Sequence, residues 1–289
     1  MTVLDALRAE LTAATNRLLA TTTAMSGSDV TAPSLLPGWT RGHVLTHIAR
    51  NADSHVNLVT WAKTGMYTPQ YPTLGAREAE IEQGAGRPLE EQHADLAAGA
   101  ARLDEAVGAM PAEAWTATVQ GMRPPEHPAW YLLVRRIREV EIHHVDLDAG
   151  YTWADWPEAF VRRELHDAMA TWPHADSAVG AVHADDRTWT GLGDGPAVEG
   201  AAPAVLAWVT GRLKEADLGT AVRLAEGGQG SRERRTEDGQ AGLAGDGGGE
   251  AGRMTLEGPR LAGRPPAAPR WLTMPAPPGL PATPPEEYP

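Results

Sequence analysis

Leu4, Leu7, Leu11, Ala14 and Leu18 recur at steps of three and four, the period of one apolar helix face, and predict a first helix over residues 1 to about 25. The turn-rich stretch GSDVTAPSLLPGW (27–39) breaks the period. Thr40 then stands where an N-cap belongs, ahead of a second run, RGHVLTHIARNADSHVNLVTWAKTG, that stops near Gly65. A short helix is expected at 76–86, and Pro88 can open another, LEEQHADLAAGAARLDEAVGAM, ending before Pro111. After a Pro-rich break, MRPPEHPAW, the run WYLLVRRIREVEIHHVDLDAG reads as a helix to Gly150, and WPEAFVRRELHDAMATW as one more. Long helices joined by short loops, all before residue 173, predict a helix bundle over 1–172.

The pattern then changes. SAVGAVHADDRTWTGLGDGPAVEG alternates in places between Gly and Asp punctuation and predicts two or three short strands, followed by a helix, APAVLAWVTGRLKEADL. Residues 173–225 are therefore expected to form a small α/β domain. Residues 226–289 are Gly-rich and then Pro-rich, with few large hydrophobes and no period, and are expected to be a disordered or loosely draped tail. The glycines of GDGGGEAG follow no strand and lack the Lys-Ser/Thr of a phosphate loop.

One helix does not fit a plain apolar core. Through RIREVEIHHVDL (136–147) and the turn before it, Leu132, Arg136, Glu139, His143 and Asp146 follow steps of 4, 3, 4 and 3, so they share one seam. Burying such charges costs several kcal/mol each unless they are paired, hydrogen-bonded or metal-bound. The second helix carries His43, His47 and Asn51 at steps of four beside Val44, Ile48 and Ala52. One of these His residues with Glu139 and His143 would give the two-His, one-carboxylate set of a metal site with an open position, and Asp146 could orient a ligand. Spacing alone leaves the register open: His43 competes with His47, and Glu141 with His144 form an alternative pair. His55 and His93 read as surface residues. The tryptophans at helix ends read as packing residues whose N–H finds a partner.

Composition narrows the chemistry. Hydrophobic residues are 42% of the chain, and no apolar run reaches the roughly 18 to 20 residues of a membrane span. The first helix has early acids and no basic region, so a signal peptide is not expected and a cytoplasmic protein is. A net charge of −13 argues against nucleic-acid or anionic-membrane partners. With no Cys there is no disulfide or thiolate nucleophile, and any thiol has to come from outside the chain.

LLPGWTRGHVLTHIARNAD followed by RIREVEIHHVDLDAG resembles the N-terminal domain of mycothiol-dependent maleylpyruvate isomerases, of the wider DinB-like superfamily of metal-binding four-helix bundles. The resemblance covers roughly residues 5 to 212 and fades after about residue 220, where members end soon. It implies a mainly α fold, a DinB-like four-helix bundle followed by a small α/β domain. It implies the metal ligands His47, Glu139 and His143, with zinc as the ion and mycothiol as cofactor. It also implies a catalytic Arg in the second domain, matched here to Arg212, with Arg223 close by. Two His and one Glu also suit iron or nickel.

The reaction implied is thiolate addition to the cis double bond of maleylpyruvate, rotation, and elimination to fumarylpyruvate. Arg212, and with it Arg136, would then bind substrate carboxylates, unless Arg136 pairs with Glu139. The alternatives are a mycothiol S-transferase acting on another electrophile and, from a different class, a non-catalytic metal-binding or interaction module. A monomer is expected.

Overall fold

The computed structural model describes residues 2–225, 264–268 and 275–288. Helices α1 (Val3–Ala24), α2 (Arg41–Thr64), α3 (Leu74–Ala85) and α4 (Leu89–Gly108) come first. A two-stranded ribbon, β1 (Thr118–Val119) with β2 (His127–Pro128), leads into α5 (Tyr131–Asp146) and α6 (Glu158–Ala170). Strands β3 (Ala181–Ala184), β4 (Arg187–Thr190) and β5 (Ala197–Gly200), helix α7 (Ala202–Val209) and strand β6 (Val222–Leu224) complete the order. The fold is mainly α: a DinB-like bundle with a small α/β region after it.

The bundle is α1, α2, α4 and α5, each packed on its neighbours, with α3 laid along α2. Helix α5 is its buried centre, and Val134, Ile137 and Val140 are fully enclosed. The close approach of α3 to α2 depends on Gly42, where a Cβ would stand 2.0 Å from the Ala85 carbonyl oxygen. Thr40 caps α2 as expected, accepting from the His43 N–H, while His43 reaches back through Nδ1 to the Thr40 N–H at 3.2 Å. A histidine here fills the place usually taken by Glu or Gln in a reciprocal cap.

Helix α5 stops at Asp146, short of Gly150, because Arg41 takes its end: Nε donates to the Leu147 carbonyl at 2.7 Å and Nη2 to that of Asp148 at 2.6 Å. The chain then turns through Asp148 and Gly150, both at positive φ.

The small sheet runs β4-β3-β5-β6, with β3 parallel to β5 and the other pairs antiparallel. Val182 stands beside Val198, both are fully buried, and α7 packs on β5 and β6. Strand β6 and the β1–β2 ribbon were not foreseen, because runs of two or three residues carry no readable period. Helix α6 packs chiefly on α7 rather than on the bundle, and one apolar cluster runs through both regions.

The tail expectation lies outside the described residues for 226–263 and 269–274. The stretches 264–268 and 275–288 have no regular secondary structure, yet they pack on the protein. The Trp208 Nε1–H donates to the Pro266 carbonyl at 3.1 Å and that of Trp130 to Pro281 at 2.9 Å. Proline has little backbone freedom to lose, so a Pro-rich segment can dock with few apolar contacts.

Candidate functional site

His47 lies in the second turn of α2, and Glu139 and His143 lie one turn apart on α5. The two helices are locked in register by Arg136, whose Nη1 donates to the Ile48 carbonyl at 3.0 Å and to Asn51 Oδ1 at 2.7 Å. Arg136 therefore neither pairs with Glu139 nor faces a substrate; it is a buried clamp. Across the clamped interface, His47 Nε2 lies 3.0 Å from Glu139 Oε2, and His143 Nε2 lies 3.5 Å from the same oxygen. The rings of His47 and His143 stand perpendicular with centroids 4.6 Å apart. Ligand-type atoms of all three side chains fall within 4.8 Å of one another.

The protonation states of His47 and Glu139 suit a metal, and His143 would have to give up its proton to bind one. Burial, with His143 beside it, pushes His47 down to about 4, so it is neutral. Burial would raise Glu139, but the hydrogen bonds from His143 and His47 outweigh it and hold the carboxyl well below its usual range. Burial would likewise lower His143, but Asp146 and Glu139 outweigh that and raise it. His143 Nδ1 is bonded to Asp146 Oδ2 at 2.8 Å, which turns Nε2 toward Glu139 and His47.

Asp146 is itself gripped by Arg212, Nε to Oδ1 at 3.0 Å and Nη2 to Oδ2 at 2.7 Å. The remaining Arg212 nitrogen, Nη1, donates to the Thr210 carbonyl. A carboxylate-binding role was expected of Arg212. Each of its three nitrogens instead has a partner within the protein, and the carboxylate it touches is the one that orients His143. Arg223, the other candidate, pairs with Glu199 on the sheet.

The rival register is resolved by position. His43 is occupied by its cap. Glu141 takes Arg17 and the Tyr151 hydroxyl, and His144 takes Thr21 Oγ1, all away from His47. His55, expected at the surface, is buried, with Nδ1 bonded to the Asn51 carbonyl and Arg135, Arg136 and Glu139 of α5 as its charged surroundings. His93 is half-buried and bonded to Thr22.

A cavity of about 380 Å³ reaches His47 and Glu139. Three guanidiniums line it: Arg77 from α3, Arg123 from the loop before β2, and Arg135 from α5. Among the described residues none of the three has a carboxylate within salt-bridge distance. Arg135 donates to His127 Nε2 at 3.0 Å. Arg77 donates to His47 Nδ1 at 3.1 Å. Since arginine only donates, that nitrogen carries the lone pair and Nε2 carries the hydrogen shared with Glu139. An ion at Nε2 would replace this hydrogen and move the proton to Nδ1, releasing Arg77.

Gln70 fixes the far wall, accepting from the Met122 N–H at 2.8 Å. Sequence reasoning missed these arginines. Arg135 did leave a signal, four residues before Glu139 on the same face; Arg77 left none. A larger hollow of about 900 Å³ between α1, α6 and residues 286–288 has no such cluster, and its Arg163 is paired with Glu10.

The family model of the mycothiol maleylpyruvate isomerase N-terminal domain matches residues 11–148, a span that contains His47, Glu139 and His143. Residues 11–148 are thus similar to that domain. A solved structure of a mycothiol-dependent maleylpyruvate isomerase superposes with a TM-score of 0.68 at 29% identity, covering 72% of this chain and 89% of that one. A histidine-to-alanine variant of that isomerase gives the same values. Since 72% of this chain exceeds residues 11–148, the shared fold continues past the isomerase domain. A comparison with curated protein sequences finds no match. The chain is an enzyme. No helix among the described residues is long and apolar enough to cross a membrane.

Proposed function

We propose that the chain catalyses the mycothiol-dependent conversion of maleylpyruvate, or a related cis-enoyl dicarboxylate, to its trans isomer by thiol addition, bond rotation and elimination. His47, Glu139 and His143 would hold one divalent ion, zinc in the simplest reading. When bound, such an ion supplies the Lewis acidity that keeps a thiol ionised at neutral pH. The observation that carries the reading is the cavity itself: three arginines, with no carboxylate within salt-bridge distance among the described residues, line the approach to His47 and Glu139. A substrate with two carboxylates supplies the missing charge.

The chain's own groups divide the work. Arg135, enclosed and held by His127, fixes one carboxylate while the adjoining bond turns. Arg123, exposed on its loop, can follow the other. Arg77 is available to either once it leaves His47. Asp146 keeps His143 in one tautomer, and Arg212 keeps Asp146 ionised and in place, so Arg212 acts as a positioning residue. A transferase acting on a neutral electrophile would leave the three arginines without counter-charge, which is why isomerisation is preferred.

The test is metal content and turnover of the purified wild type and of His47→Ala. About one ion per chain and maleylpyruvate turnover with mycothiol, both lost in His47→Ala, support the reading. Equal metal in both proteins overturns the ligand set. Metal with conjugation of other electrophiles, but no turnover of maleylpyruvate, replaces isomerase by transferase.

A further inference from the structure

The cavity wall is not made by the bundle alone. Pro275 and Ala276, from the far end of the chain, line it beside His47 and Glu139, and Ala276 is only 4% exposed. From there the chain bends at Gly279, which takes a left-handed φ of 74°, and runs on as a strap to Tyr288.

Two anchors hold the strap. The Trp130 Nε1–H donates to the Pro281 carbonyl at 2.9 Å. The Tyr288 hydroxyl donates to Asp167 Oδ1 at 2.6 Å, while the other oxygen of Asp167 takes the Tyr131 hydroxyl at 2.6 Å and Arg138 Nη2 at 2.9 Å. The Tyr288 ring also packs edge-on against Trp130, centroids 5.2 Å apart. Asp167 is fully buried, so each donor it receives matters: an ionised carboxylate out of water is stable only when its lone pairs are filled. Without a helix or strand of its own, the strap has no internal hydrogen-bond ladder, and its position is set by these contacts.

We infer that the strap is a specificity-determining wall, with Pro275 and Ala276 limiting the width of the dicarboxylate admitted and Tyr288, bolted to Asp167, holding them in place. The inference rests on the dicarboxylate reading above. A small Ala and a rigid Pro leave room for a narrow, planar diacid. Releasing the strap removes that side of the cavity and admits a broader one.

The probes are maleate and phthalate, which present the same cis pair of carboxylates on a two-carbon and a benzene frame. Binding of each is measured by calorimetry to the full-length protein as purified with its metal. Wild type is expected to prefer maleate by at least tenfold. Tyr288→Ala should narrow that preference to threefold or less, Tyr288→Phe should fall between, and Ala276→Leu should weaken maleate itself. Melting curves establish that each variant is folded. A preference unchanged within twofold in folded Tyr288→Ala, with maleate still bound, overturns the strap as a specificity wall. If wild type binds neither anion and does not turn over maleylpyruvate, the dicarboxylate reading has failed, and the inference with it.

Discussion

Helix α5 carries buried charge on two sides, and the sides differ in what answers it. On one, Arg138 meets Glu164 and Asp167 of α6 and the Tyr131 hydroxyl, so each charge has an opposite within the protein. On the other, Arg135 and Glu139 face a cavity, and among the described residues Arg135 meets the neutral His127 and no carboxylate within salt-bridge distance. Burial raises Glu164 to about 7 even beside Arg138, a sign of how dry the first side is. Both sides look alike along the chain. The answered network ties α5 to α6; the unanswered one is where a ligand completes the charge balance.

The comparison breaks most visibly at Arg138. Arg138→Met strands two buried carboxylates and should cost about 3–5 kcal/mol in denaturant unfolding, with metal content per chain unchanged. Loss of metal together with stability would mean the two sides are not separate. Arg135→Met should behave oppositely. It removes a cation that burial already disfavours, so unfolding free energy should hold or rise. KM for the diacid should climb about 10- to 150-fold, the equivalent of about 1.5–3 kcal/mol for a charge-assisted hydrogen bond. An unchanged KM would remove Arg135 from the substrate site.

Arg212→Ala sharpens the difference between holding and touching. If Arg212 acts through Asp146 and His143, metal affinity falls about 10- to 100-fold, measured by competition with a chelator. A KM effect at full metal affinity would instead return Arg212 to the substrate.

The smallest expected effect is on pH dependence. Burial lowers His55 to about 3 from 6.5, and Arg136 adds to the shift. The unfolded chain therefore takes up this proton first as pH falls, and stability is lost below pH 6.5. The loss is about 1.4 kcal/mol per pH unit. Glu164 works the other way between about pH 7 and 4.5, since the folded state takes up its proton first. The wild type minus His55→Gln difference isolates the histidine: that difference should fall by about 1.4 kcal/mol per pH unit between pH 6.5 and 4.5. Parallel curves would show His55 to be protonated in the folded protein.

Much of this was legible along the chain. Thr40 announced the start of α2, Gly65 its end, and Pro88 the start of α4. The seam at Arg136, Glu139 and His143 marked α5 as chemically loaded, because polar residues at core spacing need a partner. Local interactions suffice for such signals: a cap is satisfied within four residues, and a helix face repeats every seven. The choice of His47 over His43 was not local, since both sit on one face of α2 and it is the packing of α5 on that helix that brings Glu139 to His47.

The sequence by itself determined the helices, the mainly α class and the residue types able to hold an ion. The tertiary structure decided which charges are answered. Arg77 comes beside His47 only because Gly42 lets α3 lie against α2, and Arg212 reaches Asp146 across 66 positions. Tyr288 reaches Asp167 across 121. Spacing along a chain fixes neighbours on one element, whereas pairing between elements depends on packing, and it is pairing that separates a structural charge from a functional one.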